Sequence, residues 1–401
     1  MAADTDVEVR GHSLSGKSIL LGITGGIAAT EAVRLCRELR RYGAEITVIM
    51  TTAAAKVITP LAVEWAAQGT VITDWDSEMA QLKEFDGILI APATRNFLAR
   101  YSCGMMDHPL LMACSAARGR GTPIIVVPSM HTDLFDDPVT EDILANIGGA
   151  DVLLGPYEED RFKQPSAVQM VAELSHRVNS GDESLEIVVT LGATRAPIDS
   201  VRAIQNTSSG TTGWKISEFL FRQGHNVIVV AGVTSVEPSF DLPKVIRVSD
   251  PDEMLSACMN LATKASIPNG WIYTAAILDY YTKPISGKKS SDSDTVWDLK
   301  LSPGPKHIEE LGAFNGESKR IGFKLETQSE DAISKDDMVE LLKSKALRQI
   351  EKYGVDATIG NILEYIDDPD MPRGYLITKS DVVSLVDMDE MCAAILQVLT
   401  S

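Results

Sequence analysis

An α/β fold in two parallel-sheet domains is what this chain predicts, on three observations. Short, almost unbroken apolar runs at residues 18–23, 185–189 and 227–231 read as strands buried on both faces, the pattern of a sheet covered by helices on either side. Two of these runs each open a strand, turn, amphipathic helix and further strand, which is a βαβ unit with a right-handed crossover. Finally, 401 residues with 44% hydrophobic content are enough for two or three cores.

Composition narrows the function. A net charge of −19 argues against a nucleic-acid or anionic-membrane partner, because a phosphate backbone needs a basic footprint. An enzyme for phosphorylated substrates tolerates that balance if a few lysines and glycines line its pocket. Cys36, Cys103, Cys114, Cys258 and Cys392 are scattered, without a CxxC pair or a histidine at ligand spacing, so neither a disulfide framework nor a zinc site is expected. The first fifteen residues are polar, and no run of about 18 apolar residues follows. The expectation is a soluble, cytoplasmic protein.

In the first half, the strand at 18–23 turns through Thr24-Gly25-Gly26 into a helix reaching about Tyr42, and Gly43-Ala44 stops it before a second strand at 45–50. A dinucleotide site is disfavoured. The glycines lack the G-x-G-x-x-G spacing, and the second strand ends in Met50-Thr51 without an acidic residue for a ribose. A mononucleotide fits better. The stretch from Gly22 to Leu61 is similar to the opening of the flavin-dependent phosphopantothenoylcysteine decarboxylases, and Ile90-Ala91-Pro92-Ala93-Thr94-x-Asn96 resembles their second flavin segment. The resemblance implies a flavodoxin-like flavoprotein domain with FMN held by Thr24, Gly25, Thr51, Thr94 and Asn96.

The chemistry-bearing residues of that family are not all retained. Glu78-Met79-Ala80 stands where the family has a His, an apolar residue and Glu, and Pro128-Ser129-Met130-His131 stands for Pro-Ala-Met-Asn. After Gly155-Pro156 the chain offers no cysteine for the family's reactive clamp. A degenerate decarboxylase site is expected. Two alternatives stay open: full bifunctionality, with His131 binding a carboxylate and Glu78 accepting a proton, or a non-catalytic flavoprotein regulator. The other histidines read as surface or packing residues.

The second half opens on residues 190–213, a long polar loop between a strand and a helix, the context in which backbone N–H groups hold phosphate. Ser208, Ser209, Gly210 and Gly213 let a backbone approach an anion, and Asn206 both donates and accepts. The whole string, with Thr194-Arg195, Pro197-Ile198-Asp199 and Asn206-x-Ser208-Ser209-Gly210, resembles the signature of phosphopantothenate cysteine ligase, the C-terminal half of bifunctional coenzyme A biosynthesis proteins. Ala275-Ala276-Ile277-Leu278-Asp279-Tyr280 resembles its Ala-Ala-x-x-Asp-Tyr motif. From position alone, Asp279 also reads as a helix cap. Lys288-Lys289 falls where the ligases carry a lysine flap, and Phe323 falls near the base of the nucleotide. Lys345 and Arg348 share a helix face at a spacing of three, and the resemblance aims them at the triphosphate.

The resemblance implies a Rossmann-like parallel-sheet ligase domain. Its substrates are 4'-phosphopantothenate, cysteine and a nucleoside triphosphate, CTP foremost, with Mg²⁺. Asn206, Lys288 and Lys289 are its catalytic candidates; Ser208, Ser209, Gly210, Ala275, Ala276, Asp279, Phe323, Lys345 and Arg348 line the nucleotide and substrate site, with Asp279 on the metal. The expected organisation is a polar tail at 1–15, a flavoprotein-like domain at 16–178, a linker at 179–184 and the ligase domain at 185–401, in a homo-oligomer.

Overall fold

The computed structural model describes residues 4–75, 79–159, 161–264, 266–289, 296–314, 316–327, 334–366 and 368–401. The chain divides into two compact units, Met1–Gly181 with Arg222–Gly224 and Asp182–Phe221 with His225–Ser401.

The N-terminal unit is built on β1 (Ser18–Ile23), β2 (Glu45–Met50), β3 (Thr70–Ile72), β4 (Gly87–Ala93), β5 (Ile124–Pro128) and β6 (Asp151–Val152), ordered β3-β2-β1-β4-β5-β6 with every pairing parallel. Without the three-residue edge strand β3, the order 2-1-4-5-6 is the flavodoxin-like one. The strands are apolar throughout because both faces are covered. Ile19, Leu21, Leu89 and Val127 pack against α1 (Ala32–Arg41), α2 (Pro60–Ala67) and α7 (Ala167–Asn179). Leu20, Ile88, Ile90 and Val126 pack in the opposite layer, against α3 (Arg95–Ser102) and α4 (Pro109–Arg120). This alternation is the period-two pleat of each strand. Gly22 is glycine because a Cβ there would stand 2.5 Å from Ile90 Cδ1 and 2.7 Å from Leu110 Cδ1. After β5 come α5 (Thr132–Phe135), α6 (Pro138–Ala145) and a small hairpin, β7 (Tyr157–Glu158) with β8 (Arg161–Phe162).

In the C-terminal unit an eight-stranded sheet runs β13-β12-β9-β14-β17-β18-β19-β20. Its strands are β9 (Glu186–Leu191), β12 (Asn226–Ala231), β13 (Val245–Arg247), β14 (Gly270–Tyr273), β17 (Lys319–Glu326), β18 (Ala357–Ile362), β19 (Gly374–Ile377) and β20 (Val382–Leu385). The first six are parallel in the Rossmann order, whereas β19 and β20 are antiparallel additions at one edge. The parallel sheet expected here is present, extended by those two strands. Helices α8 (Thr211–Arg222), α9 (Pro251–Ala262), α10 (His307–Glu310), α11 (Lys335–Tyr353) and α12 (Met388–Thr400) complete the unit. Asp250 caps α9 through the Glu253 N–H at 2.8 Å, with Pro251 opening the first turn.

Two short hairpins make the loops of this sheet specific. Within the 190–213 loop, β10 (Arg195–Pro197) pairs with β11 (Ala203–Gln205), and β15 (Tyr280–Tyr281) pairs with β16 (Ser302–Pro303). Asp199 closes the first: its buried carboxylate accepts the N–H of Val201 at 2.8 Å and of Arg202 at 2.7 Å. The Val201 N–H foremost, with those of Arg202 and Lys289 and the Arg202 guanidinium, holds this carboxyl below the usual carboxylate range.

Candidate active sites

In an open parallel sheet the crevice lies outside the carboxyl ends of the strands, where neighbouring connections leave in opposite directions. The N-terminal unit has a cavity there, and the C-terminal unit has one walled by the segment after β14, by β17 and by α11.

In the N-terminal unit the cavity, about 400 Å³, is lined by Thr24, Gly25, Thr51, Thr94 and Asn96, from the loops after β1, β2 and β4, together with Phe97, Arg100, His108 and Leu111. All five residues expected on FMN therefore face one space. Thr24 also ties the loops together: its hydroxyl donates to the Pro92 carbonyl at 2.8 Å and accepts the Thr94 N–H at 2.9 Å. Thr94 caps α3, and Thr51 accepts the Ala54 N–H at 3.2 Å. Gly25 is required by packing, since a Cβ would fall 2.3 Å from that of Ala53. Hydroxyls, an amide and small residues beside apolar side chains form a donor set that fits a flavin mononucleotide.

The residues expected to act on a substrate are placed differently. Glu78 lies outside the described residues. His131 is 68% exposed and caps α5, with Nδ1 accepting the Asp133 N–H at 3.3 Å beside that residue's carboxylate; it is not among the residues lining the cavity. Where the cysteine clamp was expected, the β7–β8 hairpin packs Phe162 against Tyr157 and Phe135, with ring centroids 5.1 and 4.6 Å away. His108 and Arg100, by contrast, stand on the cavity wall although nothing in the sequence singled them out. Burial, with Arg100, pushes the His108 imidazole below its ordinary range, against Asp107 and Asp74.

In the C-terminal unit a cavity of about 450 Å³ is lined by Ala275, Asp279, Phe323, Lys345 and Arg348, with Tyr273, Ile277, Lys306, His307 and Lys324 among its other walls. Asp279 does not cap a helix. The β15–β16 pairing and a 2.9 Å hydrogen bond from the Gly304 N–H to the Asp279 carbonyl bring Lys306 to its carboxylate at 2.5 Å. Lys345 reaches Glu326 at 2.6 Å and Lys324 reaches it at 3.4 Å. Arg348 has no carboxylate within ion-pair distance among the described residues. His307 is buried, with no hydrogen-bond partner for either ring nitrogen among the described residues, and desolvation drives its pKa down to about 4.

The other candidates are not on the lining of this cavity. Asn206 donates from Nδ2 to the Ala276 carbonyl at 3.2 Å, three residues before Asp279. Ser209 caps the start of α8 through the Thr211 N–H at 3.3 Å, and half-buried Ser208 precedes it. Gly210 has φ +85°, and a Cβ would approach Thr234 Cγ2 to 2.6 Å; at Gly213 it would lie 2.3 Å from Leu191 Cβ. Close packing of helix on strand thus accounts for Gly213 without an anion. The flap residues differ from each other. Lys288 is exposed, whereas Lys289 donates its N–H to Asp199 at 3.3 Å and lays its ammonium over the Trp297 ring at 4.5 Å.

A mononucleotide-type cavity in one α/β unit and a cation-lined cavity in a second define a two-domain flavoprotein-type protein. Residues 8–179 match the Flavoprotein family, and residues 183–357 match the DNA/pantothenate metabolism flavoprotein C-terminal domain. Over 365 residues the chain is 31% identical to the coenzyme A biosynthesis bifunctional protein CoaBC of Thermococcus kodakarensis, covering 88% of this chain and 87% of that one. It is 30% identical over 377 residues to the protein of the same name in Methanocaldococcus jannaschii, covering 92% and 89%. The crystal structure of a DNA/pantothenate metabolism flavoprotein from Streptococcus pneumoniae aligns with 53% of this chain and 97% of its own, at 24% identity and a TM-score of 0.46. The chain belongs to the family of coenzyme A biosynthesis bifunctional proteins, CoaBC. Among the described residues no helix is long and apolar enough to cross a membrane, and no group of three or more His, Cys, Asp or Glu residues could hold a metal ion.

Proposed function

We propose that this chain is a phosphopantothenate cysteine ligase of cytoplasmic coenzyme A synthesis, working from residues 185–401, and that its residues 16–178 hold FMN without decarboxylating the product. The observation that carries the first part is the single cavity walled by Asp279, Phe323, Lys345 and Arg348. Support for the second is the engagement of exposed His131 as a helix cap, with no cysteine in residues 157–162, where the clamp was expected.

A carboxylate is a poor electrophile, so joining it to an amine requires a leaving group. The 4'-phosphopantothenate carboxylate attacks the α-phosphorus of a nucleoside triphosphate, CTP foremost; an acyl nucleotidylate forms and pyrophosphate leaves. The cysteine amine then attacks the acyl carbon, and the nucleoside monophosphate departs with the former carboxylate oxygen. Both steps concentrate negative charge on oxygen, which preorganised cations stabilise most. Arg348 is the guanidinium free to take the phosphates at once, and Lys345 and Lys324 follow by exchanging Glu326 for the polyanion. Lys288 supplies the mobile cation of the flap, and Lys289 anchors it. Asn206 keeps one amide N–H and its carbonyl to orient the acyl group, and its tie to Ala276 holds it beside the Asp279 segment.

Magnesium supplies charge neutralisation on the triphosphate. One carboxylate suits an ion held chiefly by phosphates and water, and Asp279 is that residue. In the N-terminal unit Thr51, Thr94 and Asn96 would hold FMN, which supplies redox chemistry when bound.

The deciding experiment gives the full chain 4'-phosphopantothenate, cysteine, Mg²⁺ and CTP or ATP, and follows pyrophosphate, the cysteine conjugate and carbon dioxide. Conjugate without carbon dioxide is expected. Carbon dioxide as well establishes a working decarboxylase, and neither product removes the ligase reading.

A further inference from the structure

His108 stands on the wall of the Thr24–Asn96 cavity with one ring nitrogen already committed. Its Nδ1 accepts the Leu110 N–H at 3.1 Å and so caps α4. A neutral imidazole carries one protonated and one bare nitrogen, so an Nδ1 that accepts forces the proton onto Nε2. No described residue accepts from that N–H. Arg100 shares the wall, but its guanidinium is engaged with Asp107. The guanidinium keeps further N–H donors but carries a full charge; of this pair, only the imidazole brings a neutral donor to the cavity.

We infer that the His108 Nε2–H donates a hydrogen bond to an acceptor on the conjugated ring of the bound flavin, fixing the orientation of that ring and raising its reduction potential. The inference rests on the reading of this cavity as a flavin site. A phosphate is best matched by cations and by backbone N–H groups at helix starts and glycine turns. The ring carbonyls and ring nitrogens of a flavin are uncharged acceptors, and a neutral donor fixed by its own cap meets them at little desolvation cost. Reduction places more electron density on those acceptors, so the same hydrogen bond strengthens and favours the reduced form.

The full-length protein is titrated with FMN by fluorescence quenching, and the visible spectrum and reduction potential of the bound flavin are recorded for the wild type, His108→Ser and His108→Gln. Serine still accepts the Leu110 N–H but is too short to reach the ligand, so it separates capping from donation. Glutamine restores a donor. His108→Ser is expected to bind FMN about tenfold more weakly, with a shifted spectrum and a lower potential, and His108→Gln to recover part of each. Spectrum and potential are read on bound flavin, so they hold even if a variant is partly unfolded. Unchanged affinity, spectrum and potential in His108→Ser would overturn the inference and leave the flavin reading standing. A wild-type protein that binds no FMN would overturn the flavin reading itself, and this inference with it.

Discussion

The Lys306 ammonium lies 2.5 Å from the Asp279 carboxylate, so the acid proposed for the metal is occupied by a cation in the free protein. Both side chains are about half exposed, and exposed pairs of this kind contribute little to stability. The pair is therefore exchangeable, and on the proposed function a triphosphate with its magnesium would take the lysine and the carboxylate apart. Asp279→Asn should leave the melting temperature nearly unchanged but lower the rate of pyrophosphate release by about 100-fold and raise the magnesium concentration needed for half-maximal rate. Arg348→Ala should weaken nucleotide binding about tenfold and flatten its salt dependence. Wild-type magnesium dependence in Asp279→Asn would remove that residue from the metal.

Lys288 and Lys289 are adjacent but not equivalent. Lys289 shares the Trp297 ring with Arg202, whose guanidinium carbon sits 5.0 Å from the ring centroid. Each such contact is worth about 0.5–1 kcal/mol at an exposed site, enough to bias the flap without fixing it. Lys288→Ala should cut turnover about 100-fold with the KM for nucleotide little altered. Lys289→Ala and Trp297→Ala should resemble each other, raising KM with a smaller loss of turnover. If Lys289→Ala is the one that abolishes turnover, the two roles are reversed.

The sheets were legible because their strands are short and apolar on both faces, and α1 because Gly43-Ala44 stops a helical run between two such strands. The β10–β11 hairpin was not. Its strands are three residues long, one ends in Pro197, and its turn depends on Asp199, whose N–H partners are set by local geometry rather than by pattern. In the site, helical spacing put Lys345 and Arg348 on one face and the family resemblance aimed them at the site, while Asp279 was visible from its motif at the end of a buried strand. His108 and His307 were not visible, because a lone histidine beside an apolar run reads as packing until the fold shows which cavity it borders.

Gly213 shows how a residue read as phosphate-binding can be explained by packing. Its hydrogen faces Leu191 of β9, where an added methyl would come within 2.3 Å of Leu191 Cβ and 2.6 Å of Thr274 Oγ1. Overpacking of this sort costs about 1–3 kcal/mol. Gly213→Ala should lower the urea midpoint accordingly, and the fraction that remains folded should bind nucleotide normally. Reduced nucleotide affinity without loss of stability would instead return Gly213 to the anion site.

His307 makes the stability of the protein depend on acid. It is 4% exposed, neither ring nitrogen has a hydrogen-bond partner among the described residues, and its pKa falls from 6.5 to about 4, chiefly through desolvation, against the Asp252 charge. A depressed histidine pKa means that the unfolded chain takes up a proton before the folded one does. Stability is then full above pH 6.5 and is lost as the pH falls toward 4, by roughly 3 kcal/mol at most for this one group. His307→Leu removes both the unpartnered buried nitrogens and the proton uptake. Relative to this variant, the wild type should hold a constant stability difference above pH 6.5 and lose ground steadily between pH 6.5 and 4, as measured by urea unfolding of the full chain. Parallel curves across that interval would mean that the ring finds a partner, or takes up its proton, in the folded state.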